Sequence, residues 1–280
     1  MKTLRLFLLL MMVLPGLAMA AKEDPWDRKL PFENATIKYT LGGMENGTET
    51  LYIKDYGKRT AKHHQGITSM MGMKMESDTL ELVDPDWVYR YDLQKRTGTK
   101  ITNPAKYMKE EYNKLTETEK KEVEKNAKEL SVNFMQGGGG KIEENVTEMF
   151  GYKVDRATVM GITSYTIHQT PIALKTEGSM MGMKIDTAAT AVEEGKVDDQ
   201  YFAPPEDIEA VFDQRADDMS RMMARKTMNW LKDPDAAQES PPAPTQSGRG
   251  DQQPPSQEGE EPADPTNQIM ENVLKGLFGN

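Results

Sequence analysis

The chain has 280 residues, no cysteine, 21 methionines and a formal net charge of −10, which becomes −12 once Lys2 and Arg5 leave with an N-terminal leader. Without cysteine no disulfide can staple the fold, so a core or a partner must hold it together. The negative balance disfavours nucleic acid and anionic headgroups as partners, because association would begin against repulsion.

The chain opens with Lys2 and Arg5, an apolar run from Leu4 to Leu14, and the small-residue pattern Ala18-Met19-Ala20. This reads as a secretory signal over 1–20 with cleavage after Ala20, giving a periplasmic or secreted product. A linker over 21–31 follows. No later stretch approaches the 18 to 20 apolar residues that a membrane span needs, so no membrane span is expected.

From Phe32 to about Thr102 apolar and polar residues alternate. Ala35, Ile37, Tyr39 and Leu41 share one face, and Leu51 and Ile53 repeat the pattern after Glu45-Asn46-Gly47, which predicts a hairpin. Leu80 and Leu82, a turn at Asp84-Pro85-Asp86, and then Trp87, Tyr89, Tyr91 and Leu93 predict a second. At Asn103-Pro104 the period changes to that of a helix, with Asn103 as cap and Pro104 in the first turn. Thr116 and Glu119 form a capping box ahead of a second helix striped by Val123, Ala127, Leu130 and Phe134, which ends at Gly137 to Gly140.

Strand patterns resume at Tyr152 to Val159, Ser164 to Ile167, Ile172 to Thr176, Met181 to Ile185 and Ala188 to Val192. Pro204-Pro205 reads as the start of a long helix of about 25 residues, near 40 Å, carrying Ile208, Val211, Phe212, Met219, Met222, Met223, Trp230 and Leu231 on its apolar side. The stretch 236–266 is Pro, Gln, Glu, Ser and Gly and is expected to be disordered. Residues 267–280 return to an amphipathic pattern, in which Ile269, Val273, Leu274, Leu277 and Phe278 form an apolar stripe suited to docking, either in cis on its own domain or in trans on an envelope protein partner.

The expected fold is α+β, a curved antiparallel half-barrel-like sheet over 32–235 with a helical insertion at 103–140, a long C-terminal helix and then the disordered tail. Within it the hexapeptide Ser69-Met70-Met71-Gly72-Met73-Lys74 recurs identically at Ser179-Met180-Met181-Gly182-Met183-Lys184. Read as extended chain, Met71, Met73 and Met75 point to one side, as do Met181, Met183 and Ile185. Three readings stay open: core filler, an adaptable apolar wall for a lipid or acyl chain, and a Cu(I) site built from soft thioethers. The candidate ligand-binding set is Met71, Met73, Met75, Trp87, Tyr89, Tyr91, Met181 and Met183.

The runs Trp87 to Leu93, Thr97 to Lys100, Asn103-Pro104, Gly151-Tyr152 and Gly178 to Lys184 resemble an uncharacterised family of exported bacterial proteins. That family in turn resembles the Lol-type lipoprotein carriers. The resemblance implies a curved sheet closing over helices around a hydrophobic cavity; the acidic tail with its terminal helix departs from it.

His63, His64 and His168 stand at no metal-ligand spacing, and no nucleophile elbow, phosphate loop or metalloprotease motif is present, so no metal, cofactor or catalytic activity is expected. The composition points to an exported, non-enzymatic binding or carrier protein that holds an apolar small molecule or lipid in a sheet-lined cavity. The alternative is an envelope interaction module that recruits a partner through 267–280.

Overall fold

The structure, a computed structural model, describes residues 29–70, 73–137, 140–180 and 183–234, with the backbone alone at 70, 128–137 and 180. The expected signal segment, the tail and the terminal helix lie outside the described residues. So do Met71, Met181, Ile269, Val273, Leu274, Leu277 and Phe278.

The described chain forms one open, curved sheet of twelve strands with three helices. Six strands come first: β1 (Ala35–Gly43), β2 (Glu45–Lys54), β3 (Arg59–Met70), β4 (Met73–Val83), β5 (Trp87–Asp92) and β6 (Thr97–Thr102). Helices α1 (Pro104–Asn113) and α2 (Glu117–Gly137) interrupt the sheet. After them come β7 (Lys141–Met149), β8 (Tyr152–Val159), β9 (Ile162–Ile167), β10 (Ala173–Met180), β11 (Met183–Glu194), the short β12 (Ala210–Phe212) and α3 (Gln214–Lys232). Their order across the sheet is β12-β6-β5-β4-β3-β2-β1-β11-β10-β9-β8-β7. Each run is a meander of antiparallel neighbours, and the first strand joins the two by pairing with β11 from Ala35↔Glu194 to Gly43↔Ile185. Only β12 runs parallel to its neighbour, β6.

Two bulges bend the sheet where the runs meet. Thr190 is the extra residue of β11 opposite Lys38 and Tyr39, and Leu174 is the extra residue of β10 opposite Tyr165 and Thr166. A residue inserted on one strand increases local twist and curls the sheet. The curled region encloses the first core, Phe32, Ala35, Ile37, Ile53, Val154, Ile167, Ile172 and Leu174 among its members. The second core lies on β3 to β5, where Ala61, Leu82 and Tyr91 are covered by Val197, Phe202 and Ile208 from the segment that returns along the sheet to β12.

The helices form a third core of their own from Tyr112, Val123, Ala127, Met228 and Leu231. Both expected caps are present. Asn103 accepts a hydrogen bond from Ala105 N–H, while Thr116 N–H donates to Glu119 and Glu119 N–H donates to Thr116 Oγ1. The last helix differs from the expectation. Instead of starting at Pro204 it starts at Gln214 and has 19 residues, because Ile208 is spent on the second core and Ala210 to Phe212 pair with β6. Asp213 then caps it, accepting from Ala216 N–H. Its buried side is Asp217, Ala224, Met228 and Leu231, which leaves Met219 and Met222 on the outer side.

A polar joint ties this helical layer to the sheet. Asp217 is 3% exposed and accepts hydrogen bonds from Thr102 N–H at 2.8 Å and Tyr107 Oη at 2.6 Å. Burial works against its charged form. The Tyr107 and Thr102 donors, with the Arg221 guanidinium nearby, nevertheless hold the carboxyl below its usual range. Asp217→Ala would leave both donors without their acceptor inside the fold, at a cost of about 2–4 kcal/mol. Urea unfolding should show that loss, and Tyr107→Phe should show a smaller one. Wild-type stability in Asp217→Ala would mean that the joint does not hold the layers together.

Candidate functional site

The repeated hexapeptide is a hairpin tip, not a stretch of single strand. Met70 pairs with Met73 and Ser69 with Lys74 in the first copy; Met180 pairs with Met183 and Ser179 with Lys184 in the second. The chain therefore reverses within each motif, and the expectation of three methionines in a row along one strand face is corrected.

Two further hairpins have tips at the same end of the sheet, at Met44 between β1 and β2 and at Met160-Gly161 between β8 and β9. The tips are bonded to one another. Ser69 N–H donates to the Met44 carbonyl at 3.3 Å, Met44 N–H donates to the Lys184 carbonyl at 3.0 Å, and Ser179 N–H donates to the Gly161 carbonyl at 3.3 Å. The serine of each hexapeptide thus holds the tip of the neighbouring hairpin in the same way. Across the sheet, the four strands β4-β3-β2-β1 and the four strands β11-β10-β9-β8 are successive copies of one arrangement. Close approach demands glycine here. Gly43 has φ +92 with the Lys184 carbonyl 2.5 Å from where a Cβ would stand, and at Gly178 the Gly161 carbonyl would be 2.2 Å away.

The result is a rim of methionine. Met73 and Met160 are each 61% exposed, while Met44, Met75 and Met183 are half-buried. Exposure of 61% is more than a core filler would keep, so packing does not account for these side chains. By strand alternation Met73, Met75 and Met183 lie on one face of the sheet, together with Leu41 and Ile185.

Trp87, Tyr89 and Tyr91 lie on the other. Tyr89 and Tyr91 pair with Leu82 and Leu80 and belong to the second core, while Trp87 meets Phe212 edge to face and Lys100 lies over its ring. The structure therefore separates the candidate aromatic residues from Met73, Met75 and Met183, the candidate methionines among the described residues, and these do not line one cavity with them. A cleft of about 100 Å³ adjoins Tyr89, between Arg59, Leu82 and Phe202. Ligand pockets usually measure about 300–1,000 Å³, so this one is too small for an acyl chain.

Behind the rim, on β2 to β4, the face that carries Met75 holds a polar cluster beside the first-core residues Ile37 and Ile53. His64 stands between two carboxylates, with Nε2 2.9 Å from Glu45 and Nδ1 3.2 Å from Glu49, and Ser77 Oγ also donates to Glu45. Both ring nitrogens face acceptors, so the imidazolium is the form that satisfies the site. Hydrogen bonds to Glu45 and Glu49 outweigh the opposing effect of burial and raise the His64 pKa to about 9. Tyr39, buried beside this cluster, is also pushed up, by burial and by the Glu49 charge. Further along, Glu81 pairs with Arg90 at 2.9 Å and Lys62 at 3.8 Å. The histidine pair thus sits on an interior strand and not on a solvated edge. His63 points to the opposite face and bonds Asp78 at 2.8 Å. No group of three or more His, Cys, Asp or Glu suited to a metal ion occurs among the described residues.

No protein-family model and no curated protein matches the chain. Among solved structures, an uncharacterized conserved protein from Thermus thermophilus is similar over 65% of this chain and 92% of its own, at 8% identity and a TM-score of 0.39. PNGF-II is similar over 71% of this chain at 12% identity and a TM-score of 0.35, and the match spans 33% of PNGF-II. Neither likeness bears on what the chain binds.

The polar cluster makes stability depend on alkali. The folded His64 pKa is raised above its ordinary value of 6.5, so its contribution is complete below about pH 6.5 and is lost as pH rises through about 9. The loss should be roughly 1–2 kcal/mol after allowing for solvent screening. Urea midpoints at about pH 6 and about pH 9.5, either side of that window, should differ more in the wild type than in His64→Ala. An equal difference in the two proteins would remove His64 as the cause.

Proposed function

We propose that this chain is a non-catalytic binding protein of the cell envelope that takes hold of an apolar group, an acyl chain or other lipid portion, along the methionine rim. The observation that carries this reading is the repeat itself. The same six residues sit at two hairpin tips on one end of one sheet, with Met44 bonded between them and Met160 beside the second. Methionine is unbranched and polarizable, so a row of such side chains can adapt to a flexible apolar ligand at little packing cost. Exposed large apolar groups gathered in one place mark an interaction surface more often than they mark nothing.

Export rests on the pattern of residues 1–20. The carrier reading draws further support from the order of elements, two runs of strands about a helical insertion, which is the order that the resemblance to Lol-type carriers implies. Among the described residues no helix is long and apolar enough to cross a membrane.

Met73→Gln and Met160→Gln keep length and flexibility while removing apolar character, and both sites are exposed enough to accept the change. Titration with a fluorescent fatty-acid analogue should show the double variant binding about tenfold more weakly, the equivalent of about 1.4 kcal/mol, with an unchanged circular-dichroism spectrum. Equal affinity in wild type and double variant would sink the rim as the binding surface. Loss of binding in Tyr89→Ser alone would move it to the other face.

A further inference from the structure

The outer side of α3 is a second apolar surface, separate from the rim. Successive exposed positions Arg215, Met219, Met222 and Lys226 fall on one face of the helix, opposite its buried side. Met219 is 38% exposed and Met222 47%, and Val211, just ahead of the cap on the edge strand β12, is 66% exposed. An amphipathic helix ordinarily puts charged or polar residues on that side. The cations around the two methionines, Arg215, Arg225 and Lys226, are exposed and form no ion pair among the described residues.

We propose that residues 267–280 of the same chain dock in cis on this outer face of α3. The stripe Ile269, Val273, Leu274, Leu277 and Phe278 needs apolar cover, since a helix of 14 residues is marginal alone in water. The tether is attached at the right place. It leaves the end of α3 and, over the 31 residues 236–266, has a root-mean-square reach of about 30 Å if it behaves as a flexible coil. Met219 lies about 20 Å back along α3 from Lys232. Charge agrees as well. Glu258, Glu260, Glu261 and Asp264 precede the stripe, and they would approach Arg215, Arg225 and Lys226 as the stripe covers Met219 and Met222.

Methionine oxidation by dilute peroxide, followed residue by residue with mass spectrometry, reads this docking directly. At an effective concentration of about 1 mM from the tether, a stripe with an untethered Kd of about 0.3 mM would be docked roughly three-quarters of the time. Oxidation of Met219 and Met222 should then be about fourfold slower in the full chain than in a chain ending at Thr266, while Met73 and Met160 react alike in both. Leu277→Asp in the full chain should match the truncation. Equal rates at Met219 and Met222 in full and truncated chains would overturn the proposal. So would protection that disappears on dilution, which would make the contact one between two copies. Protection that appears at Met73 and Met160 instead would place the tail on the rim and overturn it too, without bearing on whether the rim also binds lipid.

Discussion

Everything in this fold depends on the pairing of β1 with β11. The two strands are far apart in sequence, yet they exchange a ladder from Ala35↔Glu194 to Gly43↔Ile185. Closing so long a loop is entropically unfavourable, and that cost grows slowly with length. The ladder and the apolar residues along it oppose it: Ala35 and Ile37 of β1 join Val154, Ile167, Ile172 and Leu174 from the second run in one core. Remove this seam and two separate meanders remain, each with an unpaired edge and half a core. The seam also brings the Met44 tip against Lys184, so the joining of the two runs and the assembly of the methionine rim are one event.

The same seam explains why the two faces differ in chemistry. Once the sheet is continuous, alternation assigns every side chain to one side or the other. The side bearing Leu82, Tyr89 and Tyr91 is covered by the chain that returns through Phe202 and Ile208, so it can be apolar. The other side carries Ala35, Ile37 and Ile53 of the first core, and beside them His64, Glu45, Glu49, Lys62, Glu81 and Arg90 satisfy their charges within the sheet, strand to neighbouring strand. A half-buried charge that is paired costs far less than one left alone.

Much of this was legible in the sequence, and the parts that were not share a cause. The alternation of Ala35 to Leu41, the turn at Asp84-Pro85-Asp86 and both helix caps are local, and each appears where local chemistry put it. The turn expected at Glu45-Asn46-Gly47 moved to Met44, because Gly43, with φ +92, reverses the chain earlier and frees Asn46 and Gly47 to pair with Ile67 and Gly66. The strand β7 carries Glu at several of its positions and only a weak alternation, so its pattern held no strand signal; pairing with β8 makes it one. The identity of the two hexapeptides was visible, but their shape was not. Six residues with apolar positions either side of Met-Gly fit an extended strand as well as a hairpin, and only the register Met70↔Met73 decides between them. The apolar period of the last helix misled for the opposite reason. Ile208 and Val211 continue the spacing of Met219 and Met222, yet each of these residues meets a different environment once the chain pairs with β6.

Methionine recurs at the two exposed apolar surfaces of the described fold, the rim and the outer side of α3, and the recurrence has a physical basis. Methionine offers apolar area with three rotatable bonds, so it can follow a ligand of changing outline. On α3, Met219 and Met222 sit opposite the packed side of a helix whose exposed neighbours include Arg215, Arg225, Lys226 and Asp218. On the core side, where Ala224 is also buried, Met228 packs with Leu231 in the same cluster as Tyr112, Val123 and Ala127, so the surroundings of each position, not the residue type, set which side of α3 faces the core.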